Sequence, residues 1–130
     1  MARLNDIRSQ LGGENAPPWY VVHRGQHILA LCLQKDKNPK IDFDSVEVWV
    51  GTEPGVADWG EKLAHDKATI PVYVADQEGD DYSCQGLYNV TSRKPTPEEL
   101  EAARAQAARD LSRIVFLERA TLTEFVYKWR

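Results

Sequence analysis

Residues 19–33 read WYVVHRGQHILALCL. Two β-rich runs, Trp19 to His23 and His27 to Leu33, flank Arg24-Gly25-Gln26, and the glycine supplies the positive φ that a tight reversal needs. The stretch predicts an antiparallel hairpin with a three-residue loop. Pro17 and Pro18 hold the approach extended. Before them, residues 3–11 read as a short amphipathic helix stopped by Gly12 and Gly13, with Leu4, Ile7 and Leu11 on one side. After the hairpin, a polar loop leads to VEVWVG (Val46 to Gly51), a strand with Val46, Val48 and Val50 facing one way and Trp49 the other. Thr52 stands at a cap position, and Val56, Trp59 and Leu63 follow at helical spacing.

IPVYVAD (Ile70 to Asp76) is a fourth strand, and the acidic QEGDD turn joins it to a fifth, DDYSCQGLYNV, running from Asp80 through Thr91. The two form a second hairpin. Thr96, Pro97 and Glu99 make a capping box at the head of a helix that continues to Leu111, with Leu100, Ala103, Ala107 and Leu111 on its buried face. RIVFLE (Arg113 to Glu118) and EFVYKW (Glu124 to Trp129) read as closing strands. The expected fold is therefore α+β: a curled, mostly antiparallel sheet or small β-barrel, with two or three helices packed against it. A chain of 130 residues fits one domain, residues 1–17 forming its helix and lead-in.

Composition is that of an ordinary globular chain, 42% hydrophobic and 28% charged. No run approaches the roughly 18 apolar residues of a membrane span, and the N-terminus lacks the layout of a signal peptide, so a cytoplasmic protein without a membrane partner is expected. Cys32 and Cys84 sit in strand-like runs without a CxxC spacing and read as buried thiols. The net charge of −4 is unevenly spread. Residues 1–40 carry six cations against three anions, residues 41–90 two against eleven, and residues 91–130 eight against six. A phosphate contact must therefore come from the terminal thirds.

Candidate chemistry is sparse. His23 and His27 bracket the first hairpin, but two ligands fall short of the three that catalytic zinc takes, so neither a metal nor a cofactor is expected. The acidic cluster Asp76, Glu78, Asp80 and Asp81 lacks the spacing of a calcium loop and reads as a solvated turn. The GTEPG turn has no P-loop lysine. No catalytic residue is assigned. Aromatics are the informative class, with four Trp and five Tyr. In the fifth strand, alternation places Tyr82, Cys84, Gly86, Tyr88 and Val90 on one face. A glycine inside a strand marks a bulge or a close approach, and Tyr82 and Tyr88 would then be two walls of a slot for a flat group, such as a base out of its stack.

The order of hairpin, VWVG strand, tryptophan-bearing helix, PVYV strand, Tyr-x-Cys-x-Gly-x-Tyr-x-Val, helix and final strand resembles the small curled barrels of the PUA, ASCH and SRA kind. The resemblance covers roughly residues 18–118, and only the fifth strand carries a motif. It implies a reader of nucleic acid or of a modified or flipped base, of the sort found in restriction and defence systems. By that resemblance Tyr82, Gly86 and Tyr88 line the ligand pocket with Trp49 as a third stacking surface, Arg24 reaches into a groove or a vacated base position, and Arg104, Arg109 and Arg113 contact phosphate, the last two one turn apart on the helix. The alternatives are a small acidic interaction domain of inhibitor or immunity type, docking a basic protein, and an enzyme acting on a nucleotide or other small molecule.

Overall fold

The computed structural model describes residues 2–121. Its strands are β1 (Val21–Arg24), β2 (His27–Gln34), β3 (Ser45–Val50), β4 (Thr69–Ala75), β5 (Ser83–Val90) and β6 (Arg113–Arg119). Its helices are α1 (Leu4–Leu11), α2 (Pro54–Ala64) and α3 (Pro97–Ala107). The strands form one sheet in the order β1-β2-β4-β5-β6-β3. All neighbours are antiparallel except β2 and β4. Parallel neighbours need a long crossover, and the chain between β2 and β4 supplies one by building β3 and α2 on the way. The strand expected over residues 124–129 lies outside the described residues.

The sheet curls into a half-barrel whose inner face is one apolar cluster. Leu31 and Leu33 of β2, Val46, Val48 and Val50 of β3, and Ile70, Val72 and Val74 of β4 all point into it. Trp59 and Leu63 of α2 pack there as well, so α2 fills the hollow that the curl leaves. On the other face, α1 places Ile7 against Val22, Ala30, Cys32, Ala75 and Tyr82. Farther along that face, Ala103 of α3 packs with Trp49, Leu111, Ile114 and Phe116. The split of Trp49 from its valine neighbours is the one that alternation requires.

Two bulges shape the sheet. The β1–β2 register slips between Val22 and His23, leaving Leu29 as an extra residue on β2. The β4–β5 register slips between Val72 and Tyr73, leaving Gln85 extra on β5. A bulge bends its strand and steepens the local twist, which is how a sheet of this width comes to curl. The first hairpin closes through Gly25 and Gln26, with Arg24 and His27 paired, so its loop has two residues rather than three; Gly25 takes the positive φ of 57°.

Three local expectations are corrected. Helix α2 starts at Pro54 with Glu53 rather than Thr52 at the cap. Helix α3 has the Thr96–Glu99 capping box but ends at Ala107, because Ala108 turns left-handed at φ 53°. Arg109 and Arg113 therefore do not share a helical turn, and Arg113 opens β6. Cys32 is buried, whereas Cys84 is exposed: it lies on the outer face where no helix covers β5.

Candidate functional site

An open half-barrel has two edge strands, and an uncovered edge is a row of unmatched amides and carbonyls. Side chains and loop backbone close the edge of β3. Asn38, itself buried, accepts from the Trp49 amide through Oδ1 at 2.8 Å and donates through Nδ2 to the Gln34 carbonyl at 3.1 Å. Arg109 Nη2 donates to the carbonyls of Trp49 and Lys37, both at 3.2 Å. The Glu47 amide donates to the Lys40 carbonyl at 3.0 Å. At the other edge, the lead-in to β1 is tied across to α2, where Tyr20 Oη donates to the Val56 carbonyl at 2.8 Å.

Between these two edges the sheet leaves a cleft of about 760 Å³, within the size range of small-ligand sites. Pro17, Pro18, Trp19 and Tyr20 line one wall, and Val48, Trp49 and Gly51 the other. Cys32 and Gln34 of β2 and Tyr82 before β5 also border it. Trp19 is 52% exposed, a large indole left open beside the cleft. Gln34 donates a long contact from Nε2 to Tyr82 Oη at 3.5 Å, while its Oε1 is buried without a partner among the described residues. Burial raises the Tyr82 phenol above its ordinary value, the Gln34 hydrogen bond pulling the other way, so this hydroxyl keeps its proton through the neutral range. Arg3, Arg8, Lys37 and Arg109 bring positive charge to the cleft, opposed by Glu53, Glu78 and Asp80.

The slot between Tyr82 and Tyr88 does not form. Across the Gln85 bulge the alternation of β5 reverses, so Tyr82 packs on the outer face with Ile7 and Cys32, and Tyr88 on the inner face with Ile70 and Val72. Tyr88 is fully buried, its Oη donating to the Phe43 carbonyl at 2.8 Å. The gap at Gly86 is taken by Arg119: a methyl group on Gly86 would stand 2.6 Å from its Nη1. That guanidinium donates to the Gln85 carbonyl at 3.1 Å and to Tyr88 Oη at 3.3 Å, and lies over the Phe43 ring at 3.6 Å. Gly86 makes room for a neighbour in the fold.

Of the expected ligand residues, Tyr82 and Trp49 border the cleft, while Gly86 and Tyr88 do not. Trp49 is only 5% exposed, so it offers little stacking surface. Among the arginines, Arg109 borders the cleft but is spent on β3. Arg104 donates to the Leu111 carbonyl and pairs with Glu101 and Asp110, tying off the end of α3. Arg24 is exposed at the hairpin beside Gly12, and Arg113 lies near Tyr20. Of these four only Arg109 borders the cleft. Arg8 and Gln34 went unnoticed in the sequence, though Arg8 had a signal: it falls on the same helical side as Leu4, Ile7 and Leu11, where a charge is out of place.

His23 is buried and stacked on Trp59 at 4.2 Å, away from the exposed His27. Among the described residues no group of histidine, cysteine and carboxylate side chains is placed to hold a metal ion, and no helix is long and apolar enough to cross a membrane. No protein-family model, characterised protein or solved structure matches this chain.

Proposed function

We propose that this chain is a non-catalytic module that binds nucleic acid by accepting a base, unpaired or displaced from its duplex, into the cleft between its two sheet edges. The observation that carries the reading is the cleft itself: about 760 Å³, with the half-open indole of Trp19 on one wall and the Gln34 Oε1, without a partner among the described residues, among its bordering groups. A base is flat, stacks on an aromatic face and presents adjacent donors and acceptors that an amide matches. Cations from α1 and from the loop after β2 supply the charge that attracts a phosphate backbone. Of the residues expected to form a slot between Tyr82 and Tyr88, this reading keeps Tyr82 and Trp49 and drops Gly86 and Tyr88. A place in a restriction or defence system, and preference for a modified base, belong to the same proposal.

A second reading rests on a different surface. Phe43 is 61% exposed between Asp42 and Asp44 in the acidic middle third, which suits a basic protein partner.

Fluorescence anisotropy with labelled single- and double-stranded oligonucleotides, plain and carrying modified bases, tests the first reading. Binding should weaken as salt rises. Trp19→Ala, an exposed truncation, should lose about 1–3 kcal/mol of it, the worth of one stacked base. Absence of binding at low salt would defeat the reading and leave the Phe43 surface as the better one.

A further inference from the structure

Arg8 is only 4% exposed, and arginine is rarely so buried without a counter-charge. Among the described residues no carboxylate pairs with it. Its Nη1 donates to Asn15 Oδ1 at 2.6 Å and, more weakly, to Asn5 Oδ1 at 3.5 Å, and its guanidinium lies over the Trp19 ring at 4.7 Å. Two neutral amides and an indole orient the group without neutralising it. Cys32 is near enough to feel this charge, yet burial still pushes its thiol up to about 12, so it is not the missing anion. The planar guanidinium carries five N–H donors, and Nε and Nη2 have no partner among the described residues. Arg8 borders the cleft, as do Asn15 and Trp19.

We infer that Arg8 is the anion anchor of this cleft and binds a phosphate group of the nucleotide whose base the cleft accepts. The inference rests on the base-binding reading for the carrier of that phosphate. Its own basis is a buried, oriented cation with free donors beside an open volume. Trp19 then has two duties, stacking on the base and holding the guanidinium that grips the phosphate.

Titration of the full chain with a nucleoside, its 5′-monophosphate and inorganic phosphate, followed by tryptophan fluorescence and calorimetry, tests this in wild type and Asn15→Asp. The variant puts a carboxylate where an amide oxygen already accepts from Nη1, so Arg8 keeps its position and gains the counter-ion it lacks. Wild type should bind the monophosphate about tenfold or more tighter than the nucleoside, as a charge-assisted contact provides. Asn15→Asp should lose that margin and melt at a higher temperature. Equal affinity for nucleoside and monophosphate in wild type, or a margin that survives Asn15→Asp, overturns the inference and leaves the base reading standing. Binding of inorganic phosphate that Asn15→Asp removes, without nucleoside binding, upholds the anion site for a free oxyanion and defeats the base reading. Failure of all three probes defeats both.

Discussion

At the residue scale, Gly86 and Arg119 act as one unit. Gly86 holds φ at +143°, a conformation that residues with a side chain rarely adopt, and its missing side chain is the seat of the Arg119 guanidinium. Gly86→Ala should cost about 1–3 kcal/mol in urea unfolding, part from the backbone and part from displacing the guanidinium. Adding Arg119→Ala to that variant separates the two, since any loss common to Gly86→Ala with and without Arg119 belongs to the backbone. A loss below about 0.5 kcal/mol for Gly86→Ala would show that the strand relaxes freely. The glycine was legible in the sequence as a place of close approach. What approaches it was not, because Arg119 reaches it through the β5–β6 pairing, a contact between strands that spacing along the chain does not encode.

At the element scale, the type and order of the helices and strands were legible, and the register was not. Periodicity, the Thr96–Glu99 box and the Gly25 turn are local signals, and each described element they predicted is present. A bulge has no such signal. Gln85 looks like an outward residue of a regular strand, yet counting by twos across it assigns Tyr82 to the wrong face. That single miscount produced the slot between Tyr82 and Tyr88. Deleting Gln85 would bring Gly86 and Cys84 together opposite Val72 and Tyr73, so Tyr82 and Tyr88 keep their present faces and the strand loses only its bulge. The deletion should keep the near-ultraviolet aromatic signal and cost about 1–3 kcal/mol in urea unfolding, since the Gln85 carbonyl that accepts from Arg119 goes with it. Loss of the aromatic signal would mean that β5 slides to another register when the bulge is removed.

At the scale of the whole molecule, the uneven charge seen along the chain has a spatial counterpart. The cleft's cations come from residues 1–40 and from Arg109, within the two thirds of positive balance, while Glu53, Glu78 and Asp80 come from the acidic middle. Burial raises the Cys32 thiol from 9.0 to about 12, and it raises the phenols of Tyr20, Tyr73 and Tyr82 from 10.0. Acids with raised values hold their protons better in the folded state, so their contribution is whole below the ordinary values and drains away as pH climbs through the raised ones. The urea midpoint should therefore be flat from neutrality to about pH 9 and fall beyond it. Cys32→Val should make that fall shallower; an unchanged fall would assign it to the tyrosines. Asp42 and Glu99 are shifted the other way by hydrogen bonds to their carboxylates, so any help they give is lost as acid protonates them, and their exposure keeps it small.

Closure of the β3 edge by Asn38 and Arg109 also bears on how such a protein can change. A closed barrel sets its width by strand number and stagger, which substitutions alter only in whole steps. Here the two edges are held by a carboxamide, a guanidinium and the Tyr20 hydroxyl. The aperture is thus adjustable one side chain at a time, and a lineage built on this plan can retune what it admits while inheriting the sheet intact.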